Sequence, residues 1–200
     1  LYSTGHLILQ SLFNLQGSTF VAGCSVAGKV TSLANLAIAS LSSTMTVFSG
    51  QNLGAGNYRR LCRSAWLIPL SAGAITLSAG ILVTIFCNPL LALFTHDTAV
   101  LAFATRYIHI VLPFTWMYAI MNVIMCFANG IGEIKYPTIV NLFILWGVRI
   151  PVAYLLSRLG YGGYAMASVP LSFLAGMILM LFYFRTKRWA KLCALAKNEP

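Results

Sequence analysis

Carboxylates are nearly missing from this 200-residue chain, which has three acidic residues, Asp97, Glu133 and Glu199, against thirteen lysines and arginines. All three acids lie near the ends of apolar runs or in the tail, so the apolar runs carry none. Without an acid pair, an HExxH motif or a serine-lysine dyad, nothing in the sequence supports intramembrane enzyme chemistry. Five cysteines are scattered without CxxC spacing, which signals neither a zinc site nor a disulfide framework. His6 and His109 have no second ligand four residues on, so no metal or cofactor is expected. Charged residues of both signs make only 8% of the chain. The basic ones fall between or after apolar runs, not along a solvated face, which excludes a nucleic-acid partner.

What is present is hydrocarbon. Hydrophobic residues make 59% of the chain and the mean hydropathy is +0.83, the composition of an integral membrane protein with lipid as its first partner. The apolar runs are long and continuous, whereas a membrane barrel shows short alternating segments, so the fold class is an all-α membrane bundle. Runs of about 20 residues, broken by Gly, Asn, Pro and charge, predict six spanning helices. They cover residues 1–23, 28–48, 62–87, 101–128, 136–157 and 163–185. The sequence opens inside an apolar segment, at Leu1, and is read as a piece of a longer protein.

Alternating the connections places Arg59, Arg60, Arg63, Lys135, Arg185, Lys187, Arg188, Lys191 and Lys197 on one side, and Lys29, Arg106 and Arg158 on the other. Cytoplasmic loops collect Lys and Arg, so residues 49–63 and the C-terminal tail are expected in the cytoplasm. The thirteenth basic residue, Arg149, falls inside the fifth helix.

The stretch SGQNLGAGNYRRLCR at residues 49–63 invites a phosphate-loop reading, because its glycines let backbone amides approach an anion. It lacks the Lys-Ser/Thr pair of a P-loop, and no βαβ unit surrounds it. Read from the residues alone, it is a cytoplasmic turn: Gly50, Gln51, Gly54 and Gly56 shape the backbone and the arginines anchor it at headgroup level.

The segment FSGQNLGAGNYRR also resembles the cytoplasmic loop signature in the second half of the multidrug and toxic compound extrusion (MATE) family. FANGIGEIKYPTIVN at 127–141 and WGVRIPVAYLLSRLGYGGYAMA at 146–167 are similar, in order, to that family's turn after helix ten and its helix eleven running into twelve. The resemblance implies one six-helix lobe, residues 1–188, of a twelve-helix transporter with two lobes, followed by a tail at 189–200. It implies a bacterial inner-membrane protein that exports amphipathic or cationic organic compounds by Na⁺ or H⁺ antiport, with an N-terminal lobe as partner. The match is incomplete: acids found on helices seven and ten of some members are absent here, and His6 and Leu7 stand where a proline is usual. The coupling carboxylate is therefore expected in the other lobe. Two alternatives remain open, a non-transporting remnant or scaffold and a flippase of lipid-linked precursors.

Polar side chains inside a bilayer are costly unless they face other helices or a cavity, so they mark a pathway. Gln10 and Asn14 share a face of the first helix, extended by Ser3 and His6. Phe114, Tyr118, Met121 and Met125 recur at helical spacing with Asn122 beside them, a polarisable surface for a flat organic molecule. Both sets have ordinary helix packing as the competing reading. Arg149 either lines the pathway or caps the carbonyl of Gly147, freed because Pro151 has no N–H. Asn141, eight residues earlier, lies on the same face.

Overall fold

The computed structural model describes residues 2–197, and every regular element among them is helical. The elements are α1 (Tyr2–Asn14), α2 (Ser18–Gly54), α3 (Tyr58–Ile85), α4 (Cys87–Ala92), α5 (Thr98–Val111), α6 (Thr115–Gly130), α7 (Lys135–Phe143), α8 (Ile150–Arg158), α9 (Ser168–Phe182) and α10 (Lys187–Lys197). A 3₁₀ turn, Leu112–Phe114, joins α5 to α6, and a π-turn, Ile144–Arg149, joins α7 to α8. Each joined pair then runs as one span, Thr98–Gly130 and Lys135–Arg158.

Four helical stretches among the described residues are long and apolar enough to cross a membrane: Tyr58–Ile85, Thr98–Gly130, Lys135–Arg158 and Tyr164–Arg185. The bent α2 supplies a fifth. The start of the chain differs from the sequence expectation. Breaks were expected near residues 24–27, but α2 runs through them, because they carry no proline or charge to stop a helix. The break falls at Leu15–Gly17, where Gly17 adopts φ 96°. This leaves α1 with 13 residues, about 20 Å at 1.5 Å per residue and short of a ~30 Å hydrocarbon core. In return α2 has 37 residues and bends by 46° between Leu33 and Asn35.

The glycine-arginine segment is also more helical than expected. Ser49 to Gly54 are the last turn of α2, so only Ala55, Gly56 and Asn57 form the connection. Asn57 N–H donates to Asn52 O (2.9 Å) and Gly56 N–H to Leu53 O (3.2 Å). This is a Schellman closure, and Gly56 at φ 74° occupies its left-handed position. The α6 end repeats the device, with Glu133 N–H on Ala128 O (2.8 Å), Gly132 N–H on Asn129 O (3.0 Å) and Gly132 at φ 80°.

Central α6 buries Ala119, Met121, Val123, Ile124, Met125, Phe127 and Ala128 against α2, α3 and α9. Polar and small groups mark its seam with α2. Ser42 Oγ donates to Asn122 Oδ1 (2.7 Å), Thr46 Oγ1 to Cys126 O (3.3 Å), and Gly50 lies against Gly130 O. The described part of the tail, residues 189–197, is helical. Within it α10 buries Trp189 and Leu192, and Trp189 packs edge-on against Phe127 and Phe184. Arg188 pairs with Glu133 at 3.0 Å and donates to Ile131 O at 2.6 Å. The α2–α3 turn, the α6–α7 turn and α10 thus share one end of the bundle. Arg59, Arg60, Arg63, Lys135, Arg185, Arg188 and Lys191 gather there. Lys29, over the Phe94 ring, and Arg106, over the Tyr164 ring, lie toward the other end. Glu199 is outside the described residues.

Candidate functional site

A cavity of about 400 Å³ lies among α1, α2, α5, α6, α7, α9 and the π-turn. Its polar lining comes from His6 and Gln10 on α1, Asn35 on α2, Tyr107 on α5, Tyr118 on α6, Asn141 on α7 and Arg149 at the end of the π-turn. Phe13, Met121 and Phe173 supply the soft and aromatic surface, and no carboxylate is among the lining residues. Two backbone irregularities border it, the α2 bend at Asn35 and the π-turn at Arg149. Broken helices inside a membrane are tolerated where they face protein or a water-filled cavity.

The π-turn has a covalent cause. Pro151 has no N–H to give to the carbonyl four residues back, and the chain closes the gap with a wider turn. Ile150 N–H reaches Leu145 O, five residues back. Arg149 is thereby set toward α9, where Nε (3.2 Å) and Nη2 (3.0 Å) both donate to Ser172 Oγ. Ser172 Oγ in turn donates to Val169 O (2.6 Å). The guanidinium carbon is 5.7 Å from the Phe173 ring centroid. The local-cap reading placed Arg149 on its own helix, whereas these contacts tie it to a neighbouring one.

On α6, Tyr118 and Met121 line the cavity. Asn122 stands behind Tyr118, donating through Nδ2 to its hydroxyl (3.3 Å) while accepting from Ser42. The Tyr118 ring lies 5.0 Å from that of Phe173. The expected four-residue face divides. Met125 lines a neighbouring pocket of about 290 Å³ with Asn129, Pro137 and Asn141, and Asn141 borders both spaces. Phe114 is outside and exposed, since it belongs to the 3₁₀ turn after Pro113, where helical spacing from Tyr118 no longer applies.

On α1, Gln10 lines the cavity and donates through Nε2 to Asn14 Oδ1 (3.2 Å); Asn14, the last residue of the helix, is not part of the lining. Gly50, Gln51, Gly54 and Gly56 are at the basic end, away from it. Sequence reasoning did not select Asn35, Tyr107, Phe13 or Phe173. The available signal was weak: an amide and a phenol inside apolar runs mark Asn35 and Tyr107, but nothing distinguishes either phenylalanine.

Residues 1–155 match the family model described as MatE. The chain belongs to the MatE family. It is 27% identical over 193 residues to the probable multidrug resistance protein YoeA of Bacillus subtilis, covering 92% of this chain and 40% of that protein. It is 24% identical over 205 residues to the probable multidrug resistance protein NorM of Thermotoga maritima, covering 99% of this chain and 43% of that one. A probable multidrug resistance protein NorM of Haemophilus ducreyi is 29% identical over 195 residues. This MatE chain therefore spans about two fifths of the length of the curated relatives it matches.

Proposed function

We propose that the full-length protein is a secondary active exporter of amphipathic or cationic organic compounds, driven by Na⁺ or H⁺ entry, in which this chain is the C-terminal lobe. MatE membership and the names of the similar proteins support export. The observation that carries the reading is the mixed polar and aromatic cavity of about 400 Å³ inside an otherwise apolar bundle, a size and lining suited to a small organic molecule. Alternating access follows as rocking of this lobe against an N-terminal lobe, with the α2 bend and the π-turn as the flexing points. Since the lining offers no carboxylate, the coupling ion is assigned to acids outside this chain. The basic end, with residues 49–63 and α10, faces the cytoplasm of a bacterial inner membrane in this reading.

Vesicles containing the full-length protein test it. Dye efflux should quicken under an imposed Na⁺ or pH gradient; efflux indifferent to both removes the antiport, and no efflux removes the exporter.

A further inference from the structure

We infer that the outer face at the start of α3, together with the turn that follows α9, is a binding site for an anionic phospholipid, its phosphate held between Arg63 and Arg185. The inference goes beyond the export reading and makes no use of the cavity. Three observations carry it.

The first is the order of residues along α3. Arg63, Trp66, Leu67 and Leu70 stand at i, i+3, i+4 and i+7, so they share one face, and all four are exposed. Read inward from the basic end, that face is cationic, then aromatic, then aliphatic. A phospholipid presents the complementary order, from headgroup phosphate through the interfacial region to acyl chain. A soluble anion has no use for the leucines.

The second is a contact that brings in another cation. The Trp66 ring stacks on that of Phe184, with centroids 4.4 Å apart and planes 27° from parallel. Phe184 belongs to a 3₁₀ turn, Tyr183–Arg185, at the end of α9, so Arg185 is carried to the side of the α3 face. The Arg185 guanidinium carbon is 5.4 Å from the Phe182 ring centroid, which steadies the group and leaves its charge intact. Thr186, at ψ 151°, then redirects the chain, its Oγ1 accepts from Trp189 N–H (3.4 Å), and α10 packs back on α3.

The third is charge balance and position. Asp97 caps α5 and Glu133 pairs with Arg188, and neither Arg63 nor Arg185 forms an ion pair among the described residues. Residues of α3 and α10 are absent from the lining of the 400 Å³ cavity. The opposite face of α3 buries Leu61, Ala65 and Ala72 in the bundle. A second lobe that meets this one at the cavity therefore leaves the Arg63–Leu70 face to lipid, where exposed cations attract acidic headgroups.

The test uses the full-length protein, purified in detergent and mixed with equal amounts of dioleoylphosphatidylglycerol and dioleoylphosphatidylcholine, which share their acyl chains. Native mass spectrometry reads the lipid retained. The wild type should keep the anionic lipid about fivefold or more over the zwitterionic one. Arg63→Gln and Arg185→Gln should each remove most of that preference. Lys29→Gln combined with Arg106→Gln, at the other end, should leave it unchanged. Equal retention of the two lipids by the wild type, or an equal loss in the distal pair, overturns the site. Competition on the wild type needs no variant to fold. Dioleoylphosphatidate should displace the anionic lipid, and glycerophosphoglycerol, the headgroup without acyl chains, should not; equal displacement by both makes this a free-phosphate site and overturns the lipid assignment. Dye efflux plays no part in these readouts, so failure of the export reading and failure of the lipid site are told apart.

Discussion

At Gly130 the approach of α2 to α6 leaves no room for a side chain. A Cβ there would meet Thr46 O at 2.5 Å and overlap Ser49 Oγ, both on α2. Close backbone approach through small residues is a main source of helix association in lipid, so Gly130→Ala forces α2 and α6 apart. It should lower stability by about 1 to 3 kcal/mol, as overpacking does, read as a lower melting temperature of the detergent-purified full-length protein. Gly54 is the contrast within the glycine-rich stretch: it is helical, exposed and has nothing within 4 Å of an added Cβ. Gly54→Ala should leave stability unchanged or raise it slightly. An equal loss in both variants contradicts the packing account. The sequence showed glycines at both positions but not which one is crowded, because crowding depends on what another helix brings alongside.

At the scale of elements, the π-turn is the feature most directly traceable to one residue. Pro151→Ala restores an N–H that can bond to Gly147 O and lets a regular helix form through Ile144–Arg149. Arg149 would then rotate away from Ser172, although its charge is intact. The expected outcome is a several-fold loss of dye efflux in vesicles with protein levels maintained; unchanged efflux would show that the turn does not place a functional group. Pro151 was legible as a disruption of the fifth helix, and Arg149 as a residue needing a partner. That the partner is Ser172 on α9 was not, since a contact across 23 positions depends on how α8 and α9 dock. Element boundaries failed for a related reason. Hydropathy does not register Gly17 as a stop, so α1 was read as long and α2 as short. The last turn of α2 was read as loop because glycines in sequence look alike whether helical, as Gly50 and Gly54 are, or left-handed, as Gly56 is. In α10 the spacing of Trp189 and Leu192 carried a helical signal that the density of Lys and Arg obscured.

For the molecule as a whole, charge distribution and packing agree. Residues grouped by counting alternate connections are brought to one end by contacts that counting does not use: Trp189 against Phe127, Arg188 with Glu133, and Gly50 against Gly130. On a cysteine-free background, Arg60→Cys should react with an impermeant maleimide only after cells are permeabilised, and Asp97→Cys should react in intact cells. Labelling of both from outside contradicts the arrangement. The membrane bundle was legible throughout because the hydrophobic effect reads composition alone, while the cavity joins residues as far apart as His6 and Phe173 and required the fold. The account centres on that cavity being the substrate's path, and Gln10→Cys in the same background tests this most directly. The account predicts that a water-soluble maleimide modifies position 10 and that a transported dye slows the reaction; a thiol that is inaccessible from both sides, or modified at the same rate with and without dye, would contradict it.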